Sequence, residues 1–250
     1  MKNIVYKSSN LVEYFANNRV KWEQFYESER NLIEVLQLNS EQQVLDIGCG
    51  CGGLGLALKE KFGINNYTGV EINALSAKAG QEMNSDANII CGDILKLKKN
   101  ILNNNLYDVV FSLSCVDWNV QFSEMLAAAW EYVKPGGYFV ATFRLTDVDG
   151  CNDINKSYQY INYDEKKEGE LASYVVLNAN DLFQQLKNFN PSEINAYGYW
   201  GKPSTTAVTK YENLCFAAFS IRKQKSVDFR KAHYNMQLPS DILNILRLTK

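Results

Sequence analysis

Val44-Leu45-Asp46-Ile47-Gly48-Cys49-Gly50-Cys51-Gly52-Gly53 carries most of the information in this chain. Its first four residues are a short apolar run broken by one acid and ended by glycines, as a buried parallel strand should be. Residues 54–62 then show helical spacing. A glycine-rich turn between a strand and a helix lets the backbone bend sharply and approach a ligand without Cβ interference. The helix that follows presents unpaired amides. A loop so placed binds a nucleotide at the carboxyl edge of a parallel sheet.

Outward from this loop the pattern alternates. Tyr67-Thr68-Gly69-Val70-Glu71-Ile72 reads as a second strand, residues 74–83 as a helix and Asn88-Ile89-Ile90-Cys91-Gly92-Asp93 as a third strand. Tyr107-Asp108-Val109-Val110-Phe111-Ser112 reads as a fourth strand, and residues 122–133 as a helix stopped by Lys134-Pro135-Gly136-Gly137. Tyr138-Phe139-Val140-Ala141-Thr142-Phe143 is the fifth strand. Strands and helices alternating at this spacing imply right-handed crossovers and a parallel sheet. Two later strands are expected at 194–200 and 213–222, with 173–177 a further strand candidate, a helix at 180–186 capped by Asn178 or Asn180, and an amphipathic helix at 240–248. The expectation is an α/β, doubly wound, mostly parallel seven-stranded sheet in one domain. It divides into an N-terminal helical lid (1–40), a cofactor-binding core (41–144), and an insertion, late strands and C-terminal segment (145–250).

Two ligand types suit such a loop. A dinucleotide would set its pyrophosphate against the glycines, where the carboxylate of Asp46 repels it. A nucleoside with an amino-acid tail would set an ammonium there, which Asp46 favours. Asp46 therefore weighs against a nicotinamide-dependent oxidoreductase, the alternative reading.

Here the chain resembles the class I S-adenosylmethionine-dependent methyltransferases, over about residues 40–145. The strand and loop Val44–Gly50 are similar to that family's first motif. The resemblance implies S-adenosylmethionine as cofactor, held by Asp46, Gly48, Cys49 and Gly50. Glu71, with Ile72 beside it, would take the ribose hydroxyls. Gly92, Asp93 and Ile94 would contact the adenine, and Ser112 and Leu113 at the end of the fourth strand would line the donor and acceptor sides. Lys134-Pro135-Gly136-Gly137 is similar to the family's turn before strand five. The Asn/Asp-Pro-Pro-aromatic motif found in members that act on nucleic-acid amino groups is absent: this chain has Ser112-Leu113-Ser114-Cys115-Val116-Asp117-Trp118. That departure weighs against base methylation of DNA.

The acceptor side is less legible. Methyl transfer needs alignment and a dry pocket more than acid–base groups. Asp117, Arg144 and His233 are the candidate catalytic residues: Asp117 by position, Arg144 as an anchor for an acidic acceptor or else the partner of a nearby carboxylate, and His233 as the one histidine in the chain. Trp118 reads equally as pocket wall or as packing. Tyr197-Gly198-Tyr199-Trp200-Gly201-Lys202-Pro203-Ser204-Thr205-Thr206 combines aromatics, hydroxyls and a lysine, a mix that suits a sugar or a phosphorylated metabolite, or else a tight strand connection. The expected reaction is methylation of a small molecule, at oxygen more than nitrogen. RNA methylation and non-catalytic S-adenosylmethionine binding are the other readings.

Composition sets the bounds. The chain has 250 residues, 46% of them hydrophobic, and a net charge of −2, which is no polyanion-binding balance. Six dispersed cysteines and one histidine form no zinc-ligand spacing. No apolar run is long enough to span a bilayer or to serve as a signal peptide. The sequence thus leads us to expect a cytoplasmic enzyme with a small-molecule acceptor, no metal, no membrane partner and no nucleic acid.

Overall fold

The computed structural model describes residues 9–102, 105–162, 165–225 and 232–246. Strands β1 (Val44–Ile47), β2 (Tyr67–Glu71), β3 (Asn88–Cys91), β4 (Tyr107–Ser112) and β5 (Val133–Thr146) pair in parallel in the order β3-β2-β1-β4-β5. Helices α3 (Gly53–Phe62), α4 (Ala74–Met83) and α5 (Phe122–Glu131) follow β1, β2 and β4. β1 is buried at all four positions, as a strand covered on both faces must be. Asn73 starts α4 by accepting the amides of Leu75 and Ser76 at 2.9 and 3.0 Å, a side-chain cap for otherwise unpaired donors.

The sheet is larger than the seven strands expected, with nine among the described residues. In chain order the further elements are β6 (Tyr158–Tyr160), β7 (Leu171–Ser173), β8 (Leu177–Asn178), α6 (Ala179–Lys187), β9 (Glu193–Gly201), β10 (Ala207–Val208), β11 (Leu214–Arg222), β12 (His233–Gln237) and α7 (Ser240–Ile245). β11 lies antiparallel between β5 and β9, and β12 adds a parallel edge beyond β9. The strand expected at 173–177 is divided. β7 joins β6 and β10 in a separate three-stranded sheet, whereas β8 pairs with the end of β5. Asn178 is the cap of α6, accepting from Asn180 and Asp181. The C-terminal helix ends at Ile245, and residues 247–250 lie outside the described residues, as do 1–8 and Asp164.

Lys134-Pro135-Gly136-Gly137 is not a turn ahead of the fifth strand but a bulge within it. β4 pairs Tyr107 with Val133 and then Val109 with Tyr138, so the intervening residues are looped out. Gly136 takes φ 83° there, a conformation that favours glycine.

The N-terminal segment comprises α1 (Ser9–Asn17), a 3-10 turn (Trp22–Gln24) and α2 (Glu27–Glu34). Trp22 and Phe25 are both buried, and Trp22 meets Phe62 of α3 edge-on with centroids 5.2 Å apart. Leu32 and Ile33 of α2 join the same apolar cluster as Val109, Phe111 and Val140 of the sheet. This burial ties the lid to one face of the sheet and leaves α1 over the carboxyl ends of the strands.

Candidate functional site

A cavity opens at the carboxyl edge of β1, β2 and β4, where open α/β sheets bind ligands. It is lined by Asp46, Gly48, Cys49, Gly50, Glu71, Ile72, Gly92, Asp93, Ile94 and Leu113, among others. These are the residues expected to hold the donor, except Ser112, which is buried at the end of β4 outside the lining. The lid contributes Phe15, Asn18, Arg19 and Phe25. The segment after β4 contributes Ser114, Cys115, Trp118 and Asn119.

The glycine loop is shaped by its own backbone and by Glu71. Gly48 and Gly50 have φ 76° and 56°, and the Gly48 amide donates to the carbonyl of Val70 at 2.8 Å. Glu71, at the end of β2, accepts from the Gly50 amide through Oε2 and from the Asn73 amide through Oε1, both at 2.8 Å. One carboxylate therefore joins the glycine turn to the start of α4. Burial raises its pKa, and the backbone amides of Asn73, Gly50 and Ile72 oppose the rise.

Asp46 is buried, and its Oδ2 accepts from the Tyr67 hydroxyl at 2.6 Å. Burial pushes its carboxyl up to about 7, against the pull of Tyr67 and Arg19. Asp93 also borders the cavity, but its carboxylate already accepts from the Leu95 amide at 3.0 Å and pairs with Lys96 at 2.9 Å. It caps its turn as well as facing the cavity.

Three thiols line the cavity, and all are held neutral. Burial pushes Cys51 up to about 11 and raises Cys49 and Cys115 as well. Among the described residues no group of three or more His, Cys, Asp or Glu side chains is arranged to hold a metal.

The candidate catalytic residues do not come together. His233 lies on β12, exposed, beside Glu193 of β9, and it is not part of the lining. Its place at the sheet edge, created by a strand the sequence pattern did not reveal, separates it from the other two. Asp117 and Arg144 do meet, in an ion pair at 2.9 Å between side chains only 6% and 4% exposed. Neither is in the lining. The guanidinium lies 4.3 Å from the ring centre of Trp118 and 3.9 Å from that of Tyr174. Arg144 is thus committed to its own carboxylate and two rings, an arrangement that suits a planar cation. Trp118 is both things the sequence allowed: wall of the cavity on one side, packing for Arg144 on the other.

The 197–206 segment is the second half of β9 followed by the connection to β10. Tyr197 donates to Glu27 of α2 at 3.3 Å, and Ser204 exchanges hydrogen bonds with Gln159 and Thr206 at 3.1 Å each. None of its residues borders the cavity. Sequence reading expected an N-terminal lid but did not name which of its side chains would enter the site. Phe15, Arg19 and Phe25 gave no local signal beyond helical spacing and an aromatic cluster.

Comparison with known proteins agrees with this geometry. Residues 44–137 match a family model described as a methyltransferase domain. The chain is 28% identical over 109 residues to trans-aconitate 2-methyltransferase of Deinococcus radiodurans, a match covering 43% of this chain and 40% of that protein. It is 26% identical over 220 residues to 24-methylenesterol C-methyltransferase 3 of Arabidopsis thaliana, covering 81% and 60%. The chain thus spans less than two thirds of the length of either relative. Among solved structures, an S-adenosylmethionine-dependent methyltransferase from Clostridium acetobutylicum shares the fold with TM-score 0.52 at 15% identity, over 80% of this chain and 92% of that one. Phosphoethanolamine N-methyltransferase 2 of Haemonchus contortus, solved with S-adenosyl-L-methionine, gives TM-score 0.54 at 14% identity over 85% and 56%. Residues 44–137 thus match a methyltransferase domain, and the chain has the fold of the solved S-adenosylmethionine-dependent methyltransferases.

Proposed function

We propose that this protein transfers a methyl group from S-adenosylmethionine to an uncharged small molecule, at an oxygen atom. The observation that carries the reading is the charge of the cavity. Asp46, Glu71 and Asp93 line it, and Arg19, the one cation in the lining among the described residues, is already paired with buried Glu29 at 2.9 Å. Such a cavity favours a ligand with an ammonium and a sulfonium and disfavours a pyrophosphate.

The residues fit that donor in detail. Asp46 would take the ammonium, Glu71 the ribose hydroxyls, and Ile72 and Ile94 the faces of the base. When bound, the donor supplies an electrophilic methyl group. The chain's part is to hold the reacting atoms in line and exclude water, a service worth several kcal/mol without any proton transfer. Phe15, Phe25 and Trp118 supply apolar cover; Asn18, Ser114 and Asn119 supply polar groups to orient an acceptor.

The acceptor class follows from the same charges. An acidic lining stabilises the protonated form of an amine, which cannot attack. Arg19 and Arg144 are both paired with carboxylates, which weighs against either of them drawing a phosphate or a carboxylate. The loop that suggested a sugar lies outside the cavity lining, with Tyr199 and Trp200 exposed. The acceptor these charges suit best is a hydroxylated, partly apolar small molecule.

Calorimetric titration with S-adenosylmethionine, S-adenosylhomocysteine and NAD tests the donor. Micromolar binding of the adenosyl ligands, lost in Asp46→Ala and Glu71→Ala and absent for NAD, supports the reading. NAD binding without adenosyl binding replaces it with an oxidoreductase. S-adenosylhomocysteine production across a panel of neutral alcohols and phenols, set against amines and phosphate esters, then tests the acceptor.

A further inference from the structure

Asp46 and Tyr67 face each other across adjacent strands. β1 and β2 pair Val44 with Tyr67 and Asp46 with Gly69. Tyr67 therefore reaches Asp46 along the diagonal, a distance long side chains span. The ring is 4% exposed and packs against Gly55 of α3, where even one added Cβ would come within 2.9 Å of it. The hydroxyl is held in place by that packing and donates at 2.6 Å to a carboxylate that lines the cavity.

We infer that Tyr67 is a positioning residue for the methyl donor: its hydroxyl orients the Asp46 carboxylate for the donor's ammonium group and ties donor affinity to the protonation of Asp46. This rests on the proposed function, in which Asp46 receives that ammonium.

The groups facing Asp46 come from several elements. Tyr67 and Glu71 lie on β2, Arg19 and Glu29 on the lid, Cys49 on the glycine loop and Cys115 beyond β4. Burial is the dominant influence, and together they leave the carboxyl at about 7. An ammonium ligand selects the ionised form. Below that pH the carboxyl must release a proton for each donor bound, and affinity falls about tenfold per pH unit. Above it the dependence vanishes. Tyr67 donates to the ionised form, so its removal moves the break to higher pH.

The experiment compares two ligands. S-adenosylhomocysteine carries the amino-acid tail. 5′-Methylthioadenosine has the same nucleoside and thioether without it. Both are titrated calorimetrically between pH 5.5 and 8.0 into the wild type and Tyr67→Phe. In the wild type, S-adenosylhomocysteine should lose about tenfold in affinity per unit below pH 7 relative to 5′-methylthioadenosine. This ratio removes the titration of Glu71, which affects both ligands. In Tyr67→Phe the break in the ratio should move up in pH. At pH 7.0 S-adenosylhomocysteine should weaken while 5′-methylthioadenosine stays within about twofold, a split that general damage to the site cannot produce.

If Tyr67→Phe does not fold, the wild type decides alone. Titration at pH 6 in buffers of different ionisation enthalpy should register up to one proton released per S-adenosylhomocysteine and none per 5′-methylthioadenosine. A constant ratio between the ligands in the wild type, or equal weakening of both in the variant, overturns the inference and leaves the donor site standing. Failure of both ligands to bind at any pH overturns the proposed function, and the inference with it.

Discussion

Glu71 and Gly50 are joined by a 2.8 Å hydrogen bond from the backbone amide of the glycine loop to the carboxylate that ends β2. The residue proposed to hold the ribose therefore also shapes the loop that receives the donor. Its other oxygen holds the Asn73 amide at the start of α4. The loss of one side chain should thus be felt at three places.

Glu71→Gln keeps the shape but replaces one acceptor oxygen with a donor that faces an amide. It should weaken S-adenosylhomocysteine by about 2–3 kcal/mol, or roughly 30- to 150-fold, from the lost charge-assisted contacts and the unpaired amide. Calorimetry measures the affinity. Thermal unfolding should show a smaller loss, since most of the fold does not depend on this contact. A variant with unchanged affinity removes Glu71 from the donor site.

The lid is docked through Gly53. A Cβ there would overlap the carbonyl oxygen of Arg19 and come within 3.1 Å of Val20. Both obstacles are lid residues, and Arg19 already sits at φ 61°, an uncommon conformation for a side chain of its size. Gly53→Ala should displace this segment at a cost of about 1–3 kcal/mol. Because Arg19 and Phe25 line the cavity, the displacement should appear as faster release of S-adenosylhomocysteine in stopped-flow or surface-plasmon measurements. Association should change less.

The Asp117–Arg144 pair should behave as a buried unit. Arg144→Met strands a carboxylate whose pKa burial already raises, and should cost about 3–5 kcal/mol in urea unfolding. Adding Asp117→Asn removes the stranded charge and should recover much of that loss. If the double variant is as unstable as the sum of the singles, the two side chains act separately.

Asp46 is expected to trade stability for binding. Its folded pKa, about 7, lies above its ordinary value of 3.8. Between these values the folded state keeps a proton that the unfolded state releases, so stability falls as pH rises and the deficit is complete above pH 7. The difference of about three units corresponds to roughly 4 kcal/mol. Asp46→Asn should therefore be more stable than the wild type at pH 8 without ligand, with the advantage vanishing near pH 4. The same variant should bind S-adenosylhomocysteine poorly.

His233 supplies the contrasting case. It sits exposed on the edge strand β12. His233→Ala should leave donor affinity and S-adenosylhomocysteine production within about twofold of wild type, since exposed substitutions away from a site are usually small in effect. A larger loss would return it to the mechanism.

Much of the core was legible from residue order alone. Val44–Ile47, the glycines and the helix after them form one local unit, and its hydrophobic period, its glycine positions and Asp46 could be read without knowing what packs on them. The roles of Glu71 and Asp93 came from the resemblance to the methyltransferase family, and each stands at or just beyond a strand end, where the strands of a parallel sheet present one common edge. The rest depended on contacts between residues distant in the chain. Tyr67 reads as an ordinary strand tyrosine until strand register brings it to Asp46. Arg144 reads equally as an anchor or as the partner of a carboxylate until the segment after β4 supplies Asp117 and Trp118, and the insertion supplies Tyr174. The lid's part in the cavity depends on Arg19 fitting against Gly53. β12 is five residues of alternating exposure on a sheet edge, too short to announce itself, yet it sets His233 apart. Local periodicity specifies which face of an element is buried. Register and packing specify which side chains meet, and here they decided the charge and the walls of the site.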